Sequence, residues 1–208
     1  MSLESLKEEI TKKDDDIEIL LSIITKLDNK QLESILKSSI VILLYNKTEF
    51  FYREIILSIY DEIKDCKVSF FNLNEKIQKT IAKQLFPVNI SRIEKLTLLK
   101  NLFENNIISE YSLNRKDIAN GNVTGEEFRK FFSSYNFPSI PLLFDNEFTL
   151  KTLLDKRNEL AHGDKNFSDV GKEITIEQLS SFNEKLKGIF LDILDKLEIF
   201  LNEQHYLS

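Results

Sequence analysis

The sequence holds a single cysteine, Cys66. It cannot close an internal disulfide, and nothing in cysteine usage argues for export. As a nucleophile it lacks a helper, since it lies in a charged stretch from Asp61 to Lys67 with no histidine nearby in sequence, so an inert surface thiol is the commoner reading. Glycine (5) and proline (3) are scarce. Strand-rich domains consume both in their turns, so their scarcity favours a few long helices. Tryptophan is absent while phenylalanine reaches 16, which makes the expected core one of Phe, Leu and Ile. No apolar run approaches the ~20 residues of a membrane span. Met1 leads into Ser-Leu-Glu-Ser-Leu-Lys-Glu-Glu, which is no signal peptide, and the expectation is a cytoplasmic protein without membrane contact. A basic excess is missing too. The net charge of −6 weighs against a broad electrostatic grip on nucleic acid, but it leaves room for a small site that handles one phosphate.

What is present describes a helical globule. The 208 residues, 42% hydrophobic and 30% charged, are enough for one sizeable core or two small ones, and the expectation is a single domain over residues 1–208. Ile17, Leu20, Leu21, Ile24 and Leu27 form one apolar stripe and predict an N-terminal helix within 2–28 that packs on the rest. The Asp14-Asp15-Asp16 run suits a helix start or a solvated face. Asn29 is placed to cap a helix over about 30–65, whose middle, Ile40 to Leu44, is apolar all round and therefore central. Asn72 to Glu75 opens a helix that runs to about Phe86, where Pro87 closes it. Another covers Ser91 to Asn105 with Ile93, Leu96, Leu99, Leu102 and Phe103 inward.

Residues 105–123 are the least regular, suggesting a loop or a brief strand pair. Thr124 with Glu127, and Thr175 with Gln178, have the spacing of capping boxes. Phe137 to Pro141 reads as an extended connector, and Asp164 to Gly171 as a polar loop. A helix capped by Asp145 or Asn146 packs through Phe148, Leu150, Leu153, Leu154 and Leu160. A last amphipathic helix runs from Ile176 to about Gln204, with His205 in a frayed tail. The fold class is all-α, a bundle of long antiparallel helices with one irregular insertion.

The chemistry concentrates in Leu153-Leu154-Asp155-Lys156-Arg157-Asn158-Glu159-Leu160-Ala161-His162-Gly163. It joins one of two histidines to one of five arginines, with Gly163 placed as the left-handed residue after the helix. Histidine exchanges protons near neutrality. Arginine offers a permanent forked cation suited to phosphate. Together they are a minimal kit for cleaving RNA without a metal or cofactor: one group activates the ribose 2′-hydroxyl, one protonates the leaving oxygen, and the guanidinium stabilises the phosphate. Asn158 shares a face with His162 and could orient the imidazole or bind a phosphate oxygen. Arg157 and His162, five residues apart, lie about 140° apart round the helix. Either the arginine wraps and the helix opens near Gly163, or a second copy faces the first across a two-fold axis; the second is favoured. Glu49 is either a snorkelling carboxylate or a buried acid holding a cation such as the arginine. Lys156 is a further basic candidate, although Asp155, Glu159 and Asp164 nearly cancel the lysines around it. By spacing alone the motif is weak, and a satisfied histidine is the commoner reading.

The fuller string, Arg157-Asn158-Glu159-Leu160-Ala161-His162-Gly163 on the penultimate long helix, resembles the HEPN superfamily (higher eukaryotes and prokaryotes nucleotide-binding), which carries an R-x4-6-H motif. The pattern Leu-Leu-x-x-Arg-Asn-x-Leu-Ala-His-Gly followed by Phe167 looks especially like a bacterial MAE-type HEPN subgroup, as do Leu43 to Glu49 and Gly121-Asn122-Val123. The likeness spans about residue 30 to the end. It implies a helical bundle that dimerises with the two motifs facing each other. It implies a metal-independent endoribonuclease, with Arg157, Asn158 and His162 at the site, acting as a toxin or phage-defence effector with a cognate antitoxin or defence-system partner; Glu49 and Lys156 join as supporting candidates on the residue-level reading alone. The HEPN toxins silenced by nucleotidyltransferases carry a tyrosine two residues after the histidine; here that place is Asp164. The alternatives are a non-catalytic module that binds a nucleotide or protein, and an interaction protein built on its long helices.

Overall fold

Asn29 starts the helix on which the others are laid. Its side-chain oxygen accepts from the N–H groups of Gln31 and Leu32, both at 3.0 Å, and the helix it caps runs for 36 residues, about 54 Å at 1.5 Å per residue. The computed structural model describes residues 2–85, 91–105, 118 and 121–208. Among them are α1 (Leu3–Ile24), α2 (Lys30–Asp65), α3 (Glu75–Leu85), α4 (Arg92–Asn105), α5 (Gly125–Tyr135), α6 (Pro141–Asp145), α7 (Glu147–Ala161), α8 (Phe167–Lys172) and α9 (Ile176–Asn202), with no named strand. Among the described residues no helix is long and apolar enough to cross a membrane.

Helix α2 is central, packed by α1, α7, α8 and α9. Ile40, Val41, Leu44, Phe51, Ile55 and Ile59 are fully buried along it, as the all-round apolar middle predicts. A helix enclosed on many sides must also place its polar residues. The hydroxyls of Ser34, Thr48 and Ser58 donate back to the carbonyls four residues earlier, and Ser38 donates to the Phe167 carbonyl at 2.6 Å, tying α2 to α8. Gly171 of α8 lies so close to α2 that a Cβ there would stand 1.8 Å from the Ser34 carbonyl oxygen. Stacked Phe51 and Phe190, with ring centroids 4.1 Å apart, join α2 to α9.

Lys47 sits in the middle of this core with its side chain fully buried. Its ammonium donates to Asp14 of α1 at 2.5 Å and to the Asn183 side-chain oxygen of α9 at 2.7 Å. Burial pulls its pKa below the ordinary lysine value, and the Asp14 carboxylate pulls the other way. The aspartate run therefore neither starts a helix nor forms a wholly solvated face: it lies mid-α1, and Asp14 is turned inward to meet a charge from another helix.

Several other expectations are corrected. Thr124 stands at the N-cap of α5, but its side chain makes no capping hydrogen bond. Lys130 draws the carboxylates of Glu126 and Glu127 to itself at 3.1 and 2.7 Å, so the reciprocal box does not form; the Thr175–Gln178 box does. Ile93 (78%), Leu96 (61%) and Phe148 (77%) are exposed rather than inward. An apolar stripe shows which face seeks cover, not that this chain supplies it.

The connector after Phe137 ends in α6, with Pro141 at its first position, and the polar loop after Asp164 contains α8, which buries Val170 and Gly171. The tail is not frayed. Tyr206 is fully buried, the N–H of Asn74 donates to the Tyr206 carbonyl at 2.9 Å, and Leu207 bridges to Leu73. The closure at Pro87, the inward side chains of Leu99, Leu102 and Phe103, and nearly all of the irregular 105–123 segment lie outside the described residues.

Asp14→Ala leaves the Lys47 ammonium buried without a countercharge, with only the Asn183 oxygen and the Phe190 ring beside it among the described residues. Urea unfolding is expected to show a loss of about 3 kcal/mol, the low end for breaking a buried pair, while Asp14→Leu combined with Lys47→Met stays within about 1 kcal/mol of wild type or gains. Gly171→Ala must push α8 off the α2 backbone. It should lower stability by more than the ~1–3 kcal/mol of ordinary overpacking, measured in the same titration.

Candidate functional site

Helix α7 buries Leu150, Leu153, Leu154 and Leu160; Arg157, at the edge of that buried face, is half-buried, as are Lys156, Asn158 and Glu159 round the rest of the turn. The helix ends as its sequence predicts. The His162 N–H donates to the Asn158 carbonyl at 3.0 Å, the Gly163 N–H to Leu160 at 3.3 Å and the Lys165 N–H to Glu159 at 3.2 Å. Gly163 takes φ +74°, a left-handed conformation that side chains other than glycine's rarely adopt.

Arg157 reaches inward from this edge. Its Nη1 donates to the Asn158 side-chain oxygen at 2.9 Å and, at a long 3.4 Å, to the carbonyl of Gly121. Its guanidinium carbon lies 5.1 Å from the ring centroid of Tyr45 on α2. Tyr45 is itself buried, and its hydroxyl accepts the Val123 N–H at 2.9 Å. Burial pushes the Tyr45 phenol above its ordinary pKa and the Glu49 charge adds to that rise, while the Val123 N–H and the Arg157 charge oppose it. The Asn158 oxygen is thus turned to Arg157. His162 occupies the C-cap with its residue exposed, and among the described residues no partner holds its ring.

The two supporting candidates part company. Glu49 is half-buried one helical turn beyond Tyr45; it makes no ion pair with Arg157, and its charge is felt at the Tyr45 hydroxyl. Lys156 turns away from Arg157 into an ion-pair group. It meets Glu159 at 3.3 Å and also Glu173, while Lys165 meets Glu159 at 3.1 Å and Glu173 at 2.7 Å. This group ties α7 and the turn after it to the end of α8. The near-cancellation of charge noted in the sequence takes this form, with Glu173 added from beyond the stretch.

Tyr45 and Gly121 are the members of the site that the motif does not reveal. Both lie in segments that carry the family likeness, but no spacing rule joins positions 45, 121 and 157. Only the folded chain brings them together. Cys66, by contrast, is exposed, and its thiol donates to Glu62 at 3.2 Å. That carboxylate holds the thiol above its ordinary pKa, so it is a poor nucleophile. Among the described residues no group of three or more His, Cys, Asp or Glu side chains is gathered as a metal site.

Chemically, the end of α7 offers a guanidinium held in one orientation and an imidazole left open to solvent. The first can bind a phosphate and the second can exchange protons with it or its neighbours.

The ion-pair group makes the turn acid-sensitive. Lys156 foremost, then Lys165, holds the Glu173 carboxyl down to about 2. A depressed carboxyl pKa stabilises the fold above the unfolded carboxylate range and loses that contribution as pH falls through the folded value. Thermal midpoints recorded between about pH 5 and pH 2 should fall less steeply for Glu173→Gln than for wild type.

Comparison with known proteins agrees with the motif. The HEPN_MAE_28990-like HEPN family matches residues 2–206, so the likeness includes α1 and does not begin near residue 30. No curated protein and no solved structure matches the chain. The match covers all nine described helices and the Arg157–His162 segment alike, and on that extent this chain belongs to the HEPN family of the MAE_28990-like type.

Proposed function

We propose that the protein is a metal-independent endoribonuclease, acting as a toxin or phage-defence effector. Membership of the HEPN family suggests a role of nuclease or RNA-binding type. The observation that carries the finer reading is the presence at the end of α7 of a held cation, Arg157, and an exposed imidazole, His162, that has no partner among the described residues. In this reading one imidazole takes the proton from a ribose 2′-hydroxyl. The oxygen attacks the adjacent phosphorus, the bond to the 5′-oxygen breaks, and a protonated imidazole returns a proton to that oxygen. The products are a 2′,3′-cyclic phosphate and a free 5′-hydroxyl. Arg157 neutralises the phosphate as its charge concentrates.

Within one chain Arg157 is drawn in over α2 while His162 faces out from the helix end. That divergence favours a composite site in which two copies bring their motifs together. The partners expected are RNA, a second copy of the chain, and an antitoxin or defence-system protein. A second reading, a non-catalytic module that binds a nucleotide or a protein, is favoured by the net charge of −6. It predicts a ligand-dependent thermal shift without cleavage.

In the presence of EDTA, wild type should cut RNA to cyclic-phosphate ends. Arg157→Ala and His162→Ala should each lose at least about 100-fold of that activity with unchanged circular dichroism and molecular mass. Overexpression should arrest growth for wild type and not for His162→Ala. RNA left intact by wild type would reject the ribonuclease reading, and a nucleotide-dependent rise in melting temperature would then favour the second.

A further inference from the structure

A guanidinium has five N–H donors arranged in fixed forks. In Arg157 both Nη1 hydrogens are engaged, one by the Asn158 side chain and one by the Gly121 carbonyl. Among the described residues Nε and Nη2 have no acceptor. The end-on fork of Nη1 and Nη2 is therefore closed to a ligand, and the side-on fork of Nε–H and Nη2–H is open. The guanidinium carbon lies over the Tyr45 ring, 5.1 Å from its centroid. The Tyr45 hydroxyl accepts the Val123 N–H, so the same tyrosine holds the turn whose carbonyl takes Nη1. Gly121 has φ +81°, and a Cβ on it would lie 3.2 Å from Nη2. Any side chain at 121 would press on the open fork.

We propose that Tyr45, together with the Gly121–Val123 turn, is the positioning element of the site, presetting Arg157 so that its Nε–Nη2 edge takes two oxygens of one phosphate. Tyr45 does not touch the substrate; it acts through the plane of Arg157. This rests on the reading of Arg157 as the phosphate clamp. It adds that a lysine cannot replace Arg157, because an ammonium is a point charge without a fork.

The test reads the cradle and the reaction separately. The 15N–1H signal of the Arg157 Nε–H group is recorded for wild type, Tyr45→Phe, Tyr45→Leu and Gly121→Ala, and cleavage of an RNA is measured for each. In wild type the signal is expected to carry a ring-current shift that Tyr45→Phe keeps and Tyr45→Leu loses. Tyr45→Leu and Gly121→Ala are expected to lower kcat by about 10–100-fold, the scale of a small misplacement, with KM changed little. Tyr45→Phe retains the ring and should lose less. Tyr45→Leu combined with Arg157→Ala should be no slower than Arg157→Ala alone, and Arg157→Lys should be as slow as Arg157→Ala.

Wild-type rates in Gly121→Ala or Tyr45→Leu, or losses that add to that of Arg157→Ala, overturn the proposal. If Tyr45→Leu fails to fold, Gly121→Ala, alone and combined with Arg157→Ala, carries the same comparison. If wild type cuts no RNA, the ribonuclease reading falls, and the spectra with added inorganic phosphate decide the cradle. A phosphate-induced shift at Arg157 Nε that Gly121→Ala removes supports it, and no shift overturns it.

Discussion

The fold depends on a charge it cannot avoid burying. Lys47 sits where α1, α2 and α9 meet, and an ammonium there is tolerable only with partners already in place. Asp14 supplies a countercharge from one helix and Asn183 an oxygen from another. Such a group adds little net stability, because desolvation offsets most of the attraction. It does fix relative position: a slide of α1 by one turn would take Asp14 out of reach, and a slide of α9 would take Asn183. The apolar stripes of these helices tolerate several registers, and the buried lysine selects one.

The same logic governs the candidate site. Arg157 is drawn from α7 across to α2, where the face of Tyr45 and the carbonyl of Gly121 receive it. His162 lies just past the last turn of the same helix, where Gly163 ends regular structure. One residue is therefore restrained and the other left free. A phosphate-binding cation gains from restraint, since its orientation is settled before the ligand arrives. A proton carrier gains from access to solvent and to more than one oxygen.

Most of the architecture was legible in the sequence because it follows from local rules. Asn29, the Thr175–Gln178 pair and Gly163 mark helix ends by their own side-chain or backbone chemistry, and α1, α2, α7 and α9 follow from apolar periodicity. Where longer-range forces decide, reading failed. The Thr124 box yields to Lys130, Asp14 leaves the surface for Lys47, and Ile93 on α4 and Phe148 on α7 are exposed. Helix α8 looked like a polar loop because its length is below what periodicity can resolve, and its packing hangs on the contact of Gly171 with Ser34. At the site, Arg157 and His162 stood out because both residue types are rare in this chain. Tyr45 and Gly121 did not, since a tyrosine in a helix core and a glycine in a loop are unremarkable until a guanidinium is seen between them. Lys156 seemed a candidate from its position next to Arg157, but neighbours in a helix sequence point apart, and it faces Glu173.

The docked tail bears on how the chain is made. Asn74, which caps α3, also donates from its amide to the His205 carbonyl, 131 residues later. Apart from α1, the covers of α2 likewise come from residues 147–202. During synthesis, then, the Ile40–Leu44 segment emerges long before most of the helices that shield it. Partners so distant along the chain make for slow closure and a long exposure of apolar surface. The packing round α2 and α3 closes only once residues 147–207 are available to fold back on them.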